Sequence, residues 1–383
     1  MRYDAVIAGA RCAGAATALL IARAGGRVLV LDQGAYGSDT LSTHALMRGA
    51  VVQLQRWGVL PAIEAANTPP IRTTTFSYTD RDITVAIEPK HGVSALYAPR
   101  RALLDRVLAD AAVAAGVDIR YHSAVEEVAY DAHGRACGVV ARENGTIQRI
   151  AADLVVGADG RHSTIARRVG AATLREARHA TGVLYTYWTG LDEGDGYYWG
   201  YRQGVSVGLI PTNDGATCLF VSVPWARFQN ELQGAAPAAY HRFIRSGFPA
   251  IDRRLRAGRP TEAVRGFAGQ LGYIRQGSGP GWALVGDAGY FKDPLTAHGI
   301  TDALRDAELL ARAAIRGTAD AFAEYENLRL DLSSRLFEVT DQIASFAWTD
   351  DEVQALHRAL SAEMTREVRT LVGLEPMPTV ARV

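Results

Sequence analysis

The sequence predicts an α/β protein with three parts: a Rossmann-type dinucleotide-binding domain, a second domain built on an antiparallel β-sheet, and C-terminal helices. Three observations carry this. Tyr3–Ala8 and Arg27–Leu31 are short, apolar, β-branched runs on either side of a glycine loop and an alanine- and leucine-rich segment, which is a βαβ pattern. Residues 182–223 turn strand-like and aromatic, with Tyr185, Tyr187, Trp188, Tyr197, Tyr198, Trp199 and Tyr201. From Thr301 the apolar spacing is helical through about Val372, with a break at 348–351.

The βαβ unit is the most informative stretch. Gly9-Ala10-Arg11-Cys12-Ala13-Gly14 follows the first strand, and a helix runs from there to Ala24, where Gly25-Gly26 ends it. Gly9 permits a tight turn and Gly14 lets the helix pack closely on the strand. The N–H groups of the helix start, across Arg11, Cys12 and Ala13, together with the helix dipole, make a site for a pyrophosphate. The second strand delivers Asp32, followed by Gln33, about 20 residues past the loop, where an acid accepts hydrogen bonds from a ribose diol. Arg11 stands where the usual pattern has its middle glycine, so its side chain must point away from the phosphates or bond to one of them.

Further along, Ser42-Thr43-His44 precedes a helix over 48–57, and residues 71–89 read as a β-hairpin turning at Asp80-Arg81-Asp82. Pro99-Arg100-Arg101 opens an amphipathic helix, 102–115, ended by Gly116. Four short strands follow: VDIRY, AVEEVAY, ACGVVAR and GTIQRIA. Leu154–Val156 is a further strand, closing on Gly157-Ala158-Asp159-Gly160, and Trp282–Val285 another, closing on Gly286-Asp287. Asn213-Asp214-Gly215 marks a turn inside the aromatic sheet. The expected division is 1–70, 95–175 and 265–345 for the dinucleotide domain, 71–94 and 176–264 for the sheet domain, and 346–383 for a helical segment. In that last segment Leu356, Leu360, Met364, Val368 and Leu371 share a helix face, which predicts packed core or a homodimer contact.

Composition narrows the function classes. The chain has 383 residues and is 48% hydrophobic, enough for a large core. Its 41 basic and 41 acidic residues leave no net charge, so nothing points to nucleic acid. Lys90 and Lys292 are the two lysines; all other basic side chains of that count are arginines. Cys12, Cys137 and Cys218 are odd in number and widely spaced, so neither a disulfide framework nor a metal site follows. No signal peptide and no apolar run of membrane length is visible, and the expectation is a reduced, soluble, cytoplasmic protein.

The glycine loop with Asp32, the Gly157–Gly160 strand end, and Gly286-Asp287 before Asp293-Pro294 and His298-Gly299-Ile300 stand in that order. With Arg101 at the start of its helix, the set resembles the FAD-dependent monooxygenases of the para-hydroxybenzoate hydroxylase fold, a class that includes geranylgeranyl reductases and flavin-dependent halogenases. The resemblance covers roughly residues 1–316 and implies a Rossmann-type FAD-binding domain beneath a β-sheet substrate domain. It implies Gly9, Arg11, Cys12, Ala13 and Gly14 along the FAD pyrophosphate, and Asp32 and Gln33 at the adenosine ribose. Ser42 and Thr43 would meet the middle of the cofactor, and Arg101 would lie near the flavin. Asp159 would serve FAD and a nicotinamide cofactor, and Asp287 the ribityl chain. Pro294, Gly299 and Ile300 would border the isoalloxazine ring, with glycines at 286, 289 and 299 letting backbone approach it.

Tyr197-Tyr198-Trp199-Gly200-Tyr201 resembles the Tyr-x-Trp-x-Phe-Pro segment of geranylgeranyl reductases. Alternation puts Tyr197, Trp199 and Tyr201 on one face, and with Tyr187 these are the candidate substrate contacts, alongside the alternative that they are core. His44 and His298 are the histidines nearest the inferred flavin and the candidate acid/base groups, again beside a structural alternative. The leading expectation is an NAD(P)H-driven FAD monooxygenase that uses oxygen to hydroxylate or epoxidise an apolar or aromatic small molecule, in secondary metabolism. The alternatives are a reductase that saturates C=C bonds and a non-catalytic ligand-binding flavoprotein. The Trp-x-Trp-x-Ile-Pro run of halogenases is absent.

Overall fold

The computed structural model describes residues 2–191, 194–232 and 236–378. Strand β1 (Arg2–Ala8), helix α1 (Cys12–Arg23) and strand β2 (Val28–Leu31) form the first unit, with Ala5 opposite Val28 and Ala8 opposite Leu31 in parallel register. The small side chains of α1 leave Cys12 to Ala22 buried against the helices on one face of the sheet. After α2 (Arg48–Arg56), the hairpin β3 (Thr73–Ser77) and β4 (Asp82–Ala86) leaves this unit altogether, and α3 (Arg101–Ala114) returns to pack on α1. Strand β5 (Asp118–Arg120) pairs in parallel with β2, while β6 (Ser123–Tyr130) and β7 (Ala136–Glu143) form an antiparallel meander leading to β8 (Thr146–Gly157).

Strand β8 corrects the sequence reading, which divided it in two. It is one 12-residue strand with two partners: residues 146–151 pair antiparallel with β7, and residues 151–157 pair parallel with β1. The hydrophobic pattern changes halfway because the burial changes from one face to both, not because the backbone turns.

The second sheet holds β9 (Thr181–Thr189), β10 (Gly196–Arg202), β11 (Val205–Pro211) and β12 (Thr217–Pro224), in the order β9-β12-β11-β10-β3-β4. It is antiparallel except where β10 runs parallel to β3, Gly196 opposite Thr73. Period-2 alternation sends Tyr185, Tyr187, Tyr197, Trp199 and Tyr201 into the main core and Leu184, Trp188 and Tyr198 to the opposite face. That opposite face is covered by helices the sequence reading did not mark: Trp225–Glu231, α4 (Ala236–Gly247) and Pro249–Arg254. Tyr240, Phe243 and Ile244 recur at helical spacing on α4 and meet Leu184, Val207 and Leu219.

Strand β13 (Trp282–Leu284) rejoins the first sheet beside β8, in parallel. Three helices close the chain: α5 (Gly299–Arg316), α6 (Ala319–Ala344) and α7 (Asp350–Gly373). The expected break at 348–351 precedes α7, where Thr349 and Glu352 form a reciprocal capping box. A second break, not expected, lies at Gly317, whose left-handed backbone ends α5 before Thr318 caps α6. Among the described residues, no helix is long and apolar enough to cross a membrane.

Candidate cofactor and active site

Four parallel strands, β1, β2, β8 and β13, end at the same edge of the first sheet, and their carboxyl ends deliver Gly9, Asp32, Asp159 and Asp287. A cavity of about 600 Å³ opens along this edge. Of the sequence-derived site, Gly9, Arg11, Cys12, Ala13, Asp32, Gln33, Ser42, Thr43, His44, Arg101, Asp159, Asp287, Pro294, Gly299 and Ile300 line it. Gly14 does not; its missing side chain leaves room for the Gly9 carbonyl, which a Cβ would approach to 1.8 Å.

Carboxylates hold the glycine loop. Asp32 accepts the Ala10 N–H at 2.7 Å through one oxygen and the Gly34 N–H at 2.7 Å through the other. Asp105, which the sequence reading missed, accepts the Cys12 N–H at 3.0 Å and three bonds from Arg101, at 3.0, 3.1 and 3.3 Å, shared between its two oxygens. The signal for Asp105 was the i, i+4 spacing from Arg101 on α3. Arg11 has its side chain 38% exposed beside this pair, Nη1 3.9 Å from Asp105, so it leans to the carboxylate from the loop. Burial pushes the Cys12 thiol up to about 11, which keeps it an unreactive packing group.

The two other strand-end acids differ. Both Asp159 oxygens are engaged: Ser163 Oγ donates at 2.5 Å, and the N–H groups of Thr164 and Ile165 at 2.7 and 3.2 Å. Asp159 thus ties down the short helix Thr164–Arg168 while facing the cavity. Asp287 has no protein donor on its carboxylate among the described residues. Burial raises its pKa, with Arg161, Arg101 and Lys292 opposing. A half-buried carboxylate left open toward a cavity suits hydroxyl donors of a ligand. Gly9 adds a steric fit: at φ +103° its position leaves no space for a Cβ, which would lie 2.4 Å from the Ala158 carbonyl, so the loop sits flush on the strand end. These residues fit FAD: Asp287 is free for ribityl hydroxyls, the α1 start could take the pyrophosphate, and Gly299, with nothing within 4 Å of where a Cβ would lie, leaves space for a flat ring.

Several expectations are corrected. Gly289 makes room for Arg329, whose Nη2 would be 2.6 Å from an added Cβ, and not for a ring. Tyr187, Tyr197, Trp199 and Tyr201 do not line the cavity. Tyr197 donates to the Tyr97 carbonyl at 2.8 Å, and the Tyr201 ring centre lies 4.2 Å from that of His357 on α7. They are the packed seam between sheet and helices. The cavity wall there is instead Val183, Tyr185, Phe267, Tyr290 and Phe291, with Arg161 stacked 4.6 Å over Phe267. Tyr185 shared the alternation signal of Tyr187; which of the two reaches the cavity is decided by tertiary packing.

His298 is buried outside the cavity wall, Nε2 3.1 Å from Glu367 and Nδ1 3.6 Å from Asp302. It belongs to an ion-pair cluster: Lys292 pairs with Asp302, and Arg305 donates to Asp302 and Glu367 at 3.0 Å each and to Asp306 at 2.7 Å. His298, Asp302 and Glu367 bring ligand-type atoms within 4.8 Å of one another, but Lys292 and Arg305 already neutralise the carboxylates. His44 does stand on the cavity wall. Its Nε2 is bonded to the Tyr187 hydroxyl, and Arg100 lies 3.7 Å over the Tyr187 ring. Burial, then Arg101, Arg100 and Arg265, lowers the His44 pKa well below the usual range, so the ring is neutral.

Comparisons with known proteins agree with this geometry. The chain is 27% identical to digeranylgeranylglycerophospholipid reductase 2 of Methanothermobacter thermautotrophicus, over 100% of this chain and 99% of that protein. It is 27% identical to a menaquinone reductase of Mycolicibacterium smegmatis, over 90% and 84%. Among solved structures, the flavin-dependent brominase Bmp2 superposes with a TM-score of 0.82 at 17% identity, covering 98% of this chain and 94% of that one. A geranylgeranyl bacteriochlorophyll reductase-like protein of Thermoplasma acidophilum gives 0.72 at 20%, covering 97% and 99%. These structures share the fold. Residues 2–340 match the family described as FAD binding domain, and with its strand-end acids and glycine loop in place the chain belongs to that family of FAD-dependent oxidoreductases.

Proposed function

We propose that this oxidoreductase saturates a carbon–carbon double bond in an apolar, isoprenoid-bearing substrate, with NAD(P)H as the electron donor. The observation that carries the reading is the full-length similarity to reductases of an isoprenoid lipid and of menaquinone. FAD, when bound, supplies the redox chemistry. The residues supply the rest. Asp32, Asp287 and the α1 start hold the cofactor, and Val183, Tyr185, Phe267 and Phe291 give the substrate an apolar wall that excludes water. The experiment is an anaerobic single turnover: protein reduced with dithionite is mixed with menaquinone or a geranylgeranyl lipid. Return of the yellow oxidised flavin together with a product that stays two hydrogens heavier after air has reoxidised any hydroquinone supports the reading. A flavin that stays reduced with both compounds, or one reoxidised by menaquinone with only the hydroquinone formed and the geranylgeranyl lipid unchanged, overturns it.

One observation favours a second reading, the monooxygenase. The rings of Tyr185, Phe267, Tyr290 and Phe291 concentrate on the cavity wall, where a planar aromatic substrate stacks well. Admitting air in the presence of candidate aromatics separates the two, since this reading requires a product carrying one oxygen atom from O₂.

A further inference from the structure

His44 combines three unusual features. Its backbone has φ +65°, a left-handed conformation uncommon for residues with a side chain and concentrated at functional sites. It is fully buried yet forms part of the cavity wall. Its nitrogens are unequal: Nε2 is bonded to Tyr187, and Nδ1 has no partner among the described residues.

The proton positions follow from the surroundings. Burial raises the pKa of the Tyr187 hydroxyl, so it keeps its hydrogen, and His44 Nε2 is the one acceptor bonded to it among the described residues. The His44 ring is neutral, and a neutral imidazole that accepts at Nε2 carries its hydrogen on Nδ1. That N–H is a buried donor without a protein acceptor, a state folded proteins rarely leave uncompensated. His44 lines the cavity, so a ligand bound there is the remaining source of an acceptor.

We propose that His44, fixed as its Nδ1–H tautomer by Tyr187, donates a hydrogen bond to a carbonyl oxygen or ring nitrogen of the planar ligand at the flavin end of the cavity. Tyr187 is then a positioning residue. It does not reach the cavity, and it acts through the tautomer of His44. Arg100 lies over the Tyr187 ring, 3.7 Å from its centre, and is itself held by Glu262 at 2.5 Å and Asp39 at 3.4 Å. The inference deepens the FAD-dependent reading, because it requires a ligand with an acceptor atom: the isoalloxazine itself, or a quinone-type substrate rather than a plain alkene.

The test starts with ¹⁵N-histidine-labelled protein and long-range ¹H–¹⁵N spectra at pH 7.5. The resonance lost in His44→Asn must show a neutral Nδ1–H ring, and in Tyr187→Phe it must become a mixture of tautomers. Binding of FAD to the apoprotein, and of 2-methyl-1,4-naphthoquinone to the FAD-loaded protein, is then titrated. His44→Leu should weaken one of the two by about tenfold, the affected probe naming the acceptor. His44→Asn, whose amide places an N–H where Nδ1 was and tolerates positive φ, should recover most of it. An Nε2–H or protonated ring in the wild type, or unchanged binding of both probes in His44→Leu, overturns the proposal. If His44→Leu does not fold, the wild-type His44 Nδ1–H resonance is followed on adding each probe, and a resonance that shifts with neither overturns the proposal. None of these readouts depends on whether double bonds are reduced.

Discussion

Asp32 and Asp105 grip the glycine loop from two sides, and neither role is the one a motif assigns. The motif residues Gly9, Gly14 and Asp32 were legible because their spacing is set by covalent geometry within one βαβ unit. Asp105 was not, since its target is the Cys12 N–H 93 positions earlier. Replacing Asp105 by Ala leaves Arg101 buried without its partner and should destabilise the fold by about 3–5 kcal/mol, measured by urea unfolding of the apoprotein. Asp287→Ala has a different expected signature. Its carboxylate bonds to no protein donor, so stability should change little while FAD binds about 10- to 100-fold more weakly in a fluorescence titration. The aromatic substrate contacts were misplaced for a plain reason: alternation identifies a face but not what lies against it.

Helices α5, α6 and α7 meet through charge. Arg305 is fully buried and reaches Asp302 and Asp306 on its own helix, Ser333 on α6 and Glu367 on α7. Arg305→Met takes from Glu367 its bonded cation, while Asp302 keeps Lys292 and Asp306 keeps Arg329, and should cost about 3–5 kcal/mol, visible as a lower melting temperature. Thr349→Ala removes only the capping box at the start of α7, an expected loss of about 1 kcal/mol. The helices themselves were legible from periodicity, whereas the charged seam was not, because bonded members such as Arg305 and Glu367 lie 62 positions apart in the chain. The same limit hid the continuity of β8: a strand that changes partners midway looks like two.

Across the whole molecule the hairpin β3–β4 belongs by sequence to the N-terminal half and by pairing to the second sheet, so the two sheets share one main core. Limited proteolysis should therefore not release a stable FAD-binding fragment. Acid sensitivity is also a property of this shared core. His44, His298 and His357 are buried and neutral, His357 with its pKa pulled down to about 3. Unfolded imidazole titrates near 6.5, so below that pH the unfolded chain binds a proton that the folded chain refuses. The stability each contributes is full above about pH 6.5 and falls as pH drops, by about 1.4 kcal/mol per unit. Asp293, raised to about 6 by burial, works with the opposite sign, losing stability as pH rises toward 6. The comparison must therefore be made residue by residue. Between pH 6 and 4.5 the stability advantage of wild type over His357→Gln should shrink by that amount per unit.

The arginine bias has a practical outcome once Lys292 is seen locked against Asp302 in the interior. Lys90, just beyond β4, is then the single exposed side-chain amine. An amine-reactive fluorophore or surface linker, used at a pH that distinguishes lysine from a terminal amine, will find one lysine side chain, on the segment whose carbonyl accepts from Arg48.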